Sequence, residues 1–252
     1  MIWTMRRTGG TTLASLLATL SEYPGIQHEP FNSDRKFGHI AAEFALSGDE
    51  AQLRAALHDC LENRSVIKHC YELMSHAFNA AFMDVTTTLG YRHIVLDRRN
   101  ETDRIVSLEL AHLTGAWGGD AAQKIYPDIE AGEITLEPLD ATRALREMRL
   151  CNTRRKELSQ AMAALDGVTP FVVYFEDVYS DPEEGRALIA RVLEFLDIRH
   201  EAHTDYEKLV DDALLKRGQN SSRILQAVPD VEATINTLKA EHAAQEPVFT
   251  AS

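Results

Sequence analysis

The sequence predicts an α/β fold, a three-layer arrangement in which a parallel β-sheet is flanked by helices. Three observations predict it. Short apolar runs that read as buried strands recur along the chain, helical patterns fill the intervals between them, and those intervals are long enough for the crossovers that join parallel neighbours. The proportions agree: 252 residues, 44% apolar and 26% charged, suffice for one compact domain with a sizeable core. Residues 1–252 are read as a single domain with a helical excursion at about 117–165, which offers a substrate lid or a homodimer surface.

The first strand is the run Met1-Ile2-Trp3-Thr4-Met5. The turn Arg6-Arg7-Thr8-Gly9-Gly10-Thr11-Thr12 leads from it into a helix carried by Leu13, Leu16, Leu17 and Leu20. Pro24-Gly25 follows, and within Ile26–Asn32 Pro30 directs His28-Glu29 into an extended or turn conformation. A helix is expected over Asp49–Asn63, a strand at Ser65–His69, a helix over about Leu73–Leu89 and a strand at Tyr91–Leu96. Another helix is under way by Thr102. Trp117–Pro138, with several Gly and Pro and little periodicity, reads as a loop or excursion. Leu145, Met148, Leu158, Met162 and Leu165 give Asp140–Leu165 a helical stripe. Thr169–Phe175 reads as a buried strand, and Asp181-Pro182 opens a helix that reaches Leu196. Beyond Tyr206 the chain is helical in patches.

Charge and cysteine content exclude several classes. A formal net charge of −13 argues against a general binder of nucleic acid or of membrane surfaces, both of which require a positive field. Cys60, Cys70 and Cys151 have neither C-x-x-C nor zinc-finger spacing and read as free thiols of a reducing cytoplasm. No apolar run approaches the roughly 20 residues of a membrane span, and no secretory signal pattern is present. His69, Cys70 and Tyr71 adjoin one another, but their spacing supports no metal site.

The turn after the first strand carries the chemistry. Two glycines allow a tight curl that exposes successive N–H groups, the following helix adds its positive dipole end, and Arg6, Arg7, Thr11 and Thr12 supply charge and hydroxyls. Such a turn suits phosphate; the plain alternative is a strand-to-helix connection with solvated arginines. The triphosphatase form of the turn, G-x-x-x-x-G-K-[ST], needs a lysine that this turn lacks. Sites of parallel α/β sheets lie at the carboxyl ends of the strands, and Arg98-Arg99-Asn100 follows the Tyr91–Leu96 strand, with Ser107 a helical stretch later. Two basic clusters on one edge suggest a ligand with two separated phosphates.

These residues resemble those of a known family. Arg7-Thr8-Gly9-Gly10-Thr11-Thr12-Leu13 is similar to the R-S-G-S-T-type 5′-phosphosulfate loop of sulfotransferases that use 3′-phosphoadenosine 5′-phosphosulfate. Arg99 and Ser107, eight positions apart, resemble their 3′-phosphate motif, and Ala111–Trp117 resembles the A-x-x-T-G-x-W ending of bacterial carbohydrate members. His28-Glu29-Pro30-Phe31-Asn32 is similar to the segment in which bacterial glycolipid-type and tyrosylprotein-type members carry a catalytic glutamate. Val173–Val178, Asp181-Pro182-Glu183 and Phe195-Leu196 resemble the late Y-E-D-L…D-P-E…F-L segment, so that the likeness spans about residues 1–200. Two departures stand out: Gly10 replaces the usual hydroxyl residue, and Arg7 stands where cytosolic members have lysine.

The resemblance implies a P-loop-like sulfotransferase fold and transfer of a sulfonate group from that donor to a hydroxyl of a carbohydrate, glycolipid or lipopolysaccharide-type acceptor. It implies that Arg7, with Arg6 in reserve, stabilises the leaving phosphate, that the amides of Thr8, Gly9, Gly10, Thr11 and Thr12 and the Thr11 and Thr12 hydroxyls hold the 5′-phosphate, and that Arg99 and Ser107 grip the 3′-phosphate. Glu29 is then the general base, with His28 orienting substrate, and the Lys216–Asn220 stretch, chiefly Arg217 and Gly218, is a nucleotide-closing loop. No metal is expected. Lys68 either reaches the site to polarise the sulfonate or merely flanks a strand. Of Arg98 and Arg104 one is expected at the surface, Trp117 is read as packing a helix seam, and Glu176-Asp177 as capping or pairing with arginine. A P-loop-like nucleotide-dependent kinase and a non-catalytic nucleotide-binding or interaction protein are the alternatives.

Overall fold

The computed structural model describes residues 1–23, 25–200, 203–215 and 221–252. The chain forms an α/β structure with a five-stranded, wholly parallel sheet: β1 (Ile2–Thr4), β2 (Ile26–His28), β3 (Val66–Cys70), β4 (Ile94–Asp97) and β5 (Phe171–Tyr174), in spatial order β2-β3-β1-β4-β5. The expected parallel sheet flanked by helices is the one observed. Central β1 sets Ile2 opposite Lys68 and Ile94, and Trp3 opposite His69 and Val95. The chain lays down β2 and β3 on one side of β1 and β4 and β5 on the other, so β1 borders the point at which strand order reverses. In open α/β sheets that is where a ligand crevice opens, beyond the carboxyl ends of the strands.

Two compact units are distinguished by their internal packing: Met1–Asp97 with Thr153–Leu215 and Val248–Ser252, and Arg98–Asn152 with the described part of Lys216–Pro247. The first holds the sheet. Helix α1 (Gly10–Leu20) buries Leu13, Leu16, Leu17 and Leu20 against one sheet face together with α9 (Pro182–Phe195) and α10 (Tyr206–Leu215). Asp181 accepts from the Glu183 and Glu184 amides at the start of α9, with Pro182 in the first turn. On the opposite face α4 (His76–Thr88) brings Phe78 and Phe82 to Phe31 and His69, and Phe82 edge-on to Trp3, while α3 (Glu50–Leu61) packs along α4. Asp49 caps α3 and Ser75 caps α4. Asp97, at the end of β4, is buried and bound in bidentate fashion by Arg155 at 2.8 and 2.9 Å.

That second face is built around two buried imidazoles. The Trp3 indole donates to His93 Nδ1 at 2.9 Å, which leaves Nε2 to donate to Thr87 Oγ1 at 3.0 Å. Asn79, whose amide nitrogen donates to Tyr71 O, turns Oδ1 toward His69 Nε2 at 2.9 Å. Burial lowers His69 to about 4 and His93 to about 3, so both are neutral in the folded protein.

The second unit is helical. It contains α5 (Glu101–Thr114), α6 (Gly119–Glu130), the first half of α7 (Ala141–Ala163) and α11 (Val231–Ala243), with Ile105, Leu110, Tyr126, Ile129, Met148 and Leu238 in its core. The stretch from Trp117, read as a loop or excursion, includes a full helix, because Ala122, Tyr126 and Ile129 recur on one face and Pro127 falls near its end. Two further helices were not expected. Helix α2 (Gly38–Ser47) buries only Gly38 and Ile40, and α8 (Phe175–Tyr179) begins where the β5 run was expected to continue.

Candidate functional site

The loop between β1 and α1 is held from three sides. Inside it, the Thr8 hydroxyl donates to Met5 O at 2.7 Å and contacts Thr4 Oγ1, so Thr8 faces the protein interior. Gly9 caps α1 with φ +77°, and its carbonyl accepts from the Thr12 amide at 3.1 Å. The Thr12 N–H expected on a phosphate is engaged within the turn, whereas first-turn amides such as those of Gly10 and Thr11 have no intrahelical acceptor. From α8, the Phe175 and Tyr179 rings press against Gly9, and Tyr179 Oη donates to its carbonyl at 3.3 Å. A Cβ on Gly9 would sit 2.9 Å from Tyr179 Cε2 and 3.1 Å from Phe175 Cδ2. Gly9→Ala should therefore cost about 2 kcal/mol, half from the positive φ and half from the ring contacts. Urea denaturation measures it, and a cost below a few tenths would show that the rings do not confine the loop.

From β3, Lys68 reaches under the start of α1. It lies within the strand, not at its end, paired between Ile2 of β1 and His28 of β2, and is 6% exposed. Its stem runs past Gly10, where a Cβ would meet Thr4 Cγ2 at 3.1 Å and Lys68 Cδ at 3.3 Å. The ammonium lies 3.5 Å from Thr11 Oγ1 and forms an ion pair with Glu29 Oε1. The departure at Gly10 thus has a physical reason: a side chain there would crowd Thr4 and the lysine stem.

Glu29 follows β2 directly. Its amide donates to Lys68 O at 2.7 Å, its backbone takes φ +50° ahead of Pro30, and Asn32 Nδ2 donates to Oε2 at 2.8 Å. Positive φ is costly for a side-chain-bearing residue and is kept only where the surroundings enforce it. Among the described non-glycine residues only Arg7, Glu29, Asp197 and Asp230 adopt it, and the first two are site candidates. Burial pushes the Glu29 carboxyl up, but the Lys68 charge and the hydrogen bonds from Lys68, Cys70 and Asn32 outweigh it and hold its pKa below the ordinary carboxylate range. Burial likewise opposes the Lys68 ammonium, yet the Glu29 and Glu72 carboxylates near it keep its pKa raised. The Cys70 thiol is pushed well up by burial and by Glu72, so it stays protonated. Burial, and after it the Lys68 charge, lower the His28 pKa.

Arg6 serves the loop rather than open solvent. Its backbone N–H and its Nε both donate to Glu72 Oε1, at 2.8 and 3.0 Å, and the Glu72 side chain is 1% exposed. Glu72 and Tyr179 are site neighbours that sequence reasoning did not name, and Asn32, Cys70 and Phe175 were named without a role in the site. Glu72 continues the alternation of Lys68 and Cys70 past the end of β3, the one pattern that could have pointed to it.

The second basic cluster belongs to the helical unit. Asn100 caps α5, its Oδ1 accepting from the Asp103 amide at 3.0 Å, and Ser107 Oγ lies 3.4 Å from Ser221 Oγ. Arg99 is exposed, on the turn before α5. Of Arg98 and Arg104, neither is a surface arginine: Arg104 is 0% exposed and doubly bound to Glu101 one turn earlier, and the Arg98 side chain is 17% exposed with Asp103 at 3.8 Å. Trp117, read as seam packing, is half-exposed and meets only the His112 edge among the described ring contacts, at 4.7 Å. Glu176 and Asp177 lie in the first turn of α8. Arg217 and Gly218 lie outside the described residues.

No protein-family model, curated protein or solved structure matches the chain. Among the described residues no cluster of His, Cys, Asp and Glu could hold a metal ion, and no helix is long and apolar enough to cross a membrane. The first unit sets the β1–α1 loop near a carboxylate, with the Lys68 ammonium beside both.

Proposed function

We propose that the chain is a sulfotransferase of P-loop-like fold that moves a sulfonate group from 3′-phosphoadenosine 5′-phosphosulfate to an acceptor hydroxyl. The observation that carries this reading is the Lys68 ammonium beside both Thr11 of the loop and the Glu29 carboxylate. Sulfuryl transfer needs an oxyanion cradle for the leaving phosphate, a cation near the bond that breaks and a base for the acceptor proton, and these residues can meet all three needs. The loop stands after the central strand, where strand order reverses, which supports a nucleotide in that crevice.

In this reading the first turn of α1, with Thr11 and Thr12, holds the 5′-phosphate, and Arg7 adds charge. Glu29 takes the proton of the acceptor hydroxyl. The 3′-phosphate falls to Arg99 and Ser107 by the family likeness, which also suggests a carbohydrate, glycolipid or lipopolysaccharide-type acceptor. A thermal-shift panel tests it. Adenosine 3′,5′-bisphosphate without magnesium should raise the melting temperature by several degrees, since saturation at about 100 times Kd adds about 2.7 kcal/mol. A preference for ATP with magnesium would sink the reading in favour of a kinase, and silence toward every nucleotide would favour an interaction protein.

A further inference from the structure

Lys68 stands between partners that make opposite demands on it. Its ammonium neutralises Glu29, yet it also lies 3.5 Å from Thr11 Oγ1 at the loop, reached across the gap that Gly10 leaves. A carboxylate held below its ordinary pKa by an ammonium is a poor proton acceptor. An oxyanion over Thr11 would compete for the same charge, and the flexible lysine stem permits the exchange.

We propose that Lys68 is an exchangeable latch on Glu29. In the donor-free protein it neutralises the carboxylate; when the phosphosulfate enters, its 5′-phosphate draws the ammonium over Gly10 toward Thr11, and Glu29 becomes available as base. This rests on the sulfotransferase reading and adds an order to it, donor before acceptor. Once released, Glu29 takes the acceptor hydroxyl's proton as the acceptor oxygen bonds to sulfur. The bond from sulfur to the phosphate oxygen breaks, and its electron pair leaves on the 5′-phosphate, where the Lys68 charge has moved. Asn32 remains as a donor to Glu29, so the freed carboxylate keeps its orientation.

Calorimetric titration with adenosine 3′,5′-bisphosphate tests the latch in the wild type, Glu29→Gln, Lys68→Met and the double variant. Glu29→Gln should bind about 10-fold tighter, because no ion pair must be broken, and Lys68→Met about 10-fold weaker. In the Lys68→Met background the gain from Glu29→Gln should vanish. If that gain persists there, Glu29 merely repels the phosphate and the latch is overturned; if Glu29→Gln binds no tighter than wild type, it is overturned as well, with donor binding intact in either case. Absence of binding by the wild type would overturn the sulfotransferase reading and the latch together. Lys68→Gln, whose amide can still donate to Glu29, replaces Lys68→Met if loss of that donor prevents folding.

Discussion

Glu29→Gln should lower turnover by about 10²- to 10⁴-fold, the usual worth of a positioned general base. The substitution is nearly isosteric, so the φ of +50° ahead of Pro30 and a hydrogen bond with Asn32 can both be kept. What is lost is the capacity to accept a proton. The strained backbone sharpens the expectation, since a carboxylate held there by the Lys68 carbonyl and by Asn32 has little freedom to let a neighbour replace it. Turnover is measured with saturating donor and an acceptor identified by transfer of labelled sulfonate from the donor into candidate extracts. An unchanged rate would remove Glu29 as the base and leave His28 as the next group to examine.

Acidification from pH 7 to pH 5 should destabilise the sheet unit by about 4 kcal/mol through two histidines alone. In the unfolded chain His69 and His93 titrate near 6.5, but in the fold they are held to about 4 and about 3. The unfolded state therefore binds more protons below pH 6.5, and stability falls as pH falls, continuing until the folded values are reached. Over the interval from 6.5 to 5 each histidine contributes about 1.5 pH units of slope, or about 2 kcal/mol. The contribution is fully present above pH 6.5. Urea midpoints at pH 7, 6 and 5 measure it, and His69→Phe should remove about half of the slope. A midpoint that stays flat down to pH 5 would mean that the imidazoles accept protons in place.

Four of the five strands were legible in the sequence as apolar runs, whereas β2, Ile-Gln-His with all three residues half-buried, offers no such run. The structure trims them: the Tyr91–Leu96 run becomes β4 only from Ile94, because the preceding residues lead up from the loop after α4. Helices were legible where they bury a stripe, as α1 does with its leucines. Helix α2 was not, since Leu46 on it is 89% exposed and its pattern has no apolar face to detect. Nor was α8, whose Val-Tyr-Phe-Glu-Asp-Val context reads as a strand until Tyr174, after which only Val178 is buried.

At the site, the loop and Glu29 were visible as residue types in order, but their supports were not. That Lys68 lies inside a strand and points under α1 follows from its register with Ile2, which requires the pairing of β3 with β1. Arg104 looked like one more arginine of a basic cluster; its burial follows from Glu101 three residues earlier, a local signal that could have been weighed. The hold of Glu72 on Arg6 joins residues 66 positions apart and depends on tertiary structure.

The rings of Phe175 and Tyr179 against Gly9 give the loop a property of a different kind: it is not portable. The β1–α1 loop and its helix are contiguous within the first 20 residues, yet the walls that shape them come from β3 and from α8, some 60 and 170 residues away in the chain. Grafted alone onto another strand-to-helix junction, the same heptapeptide would keep its arginines and hydroxyls and lose its curvature.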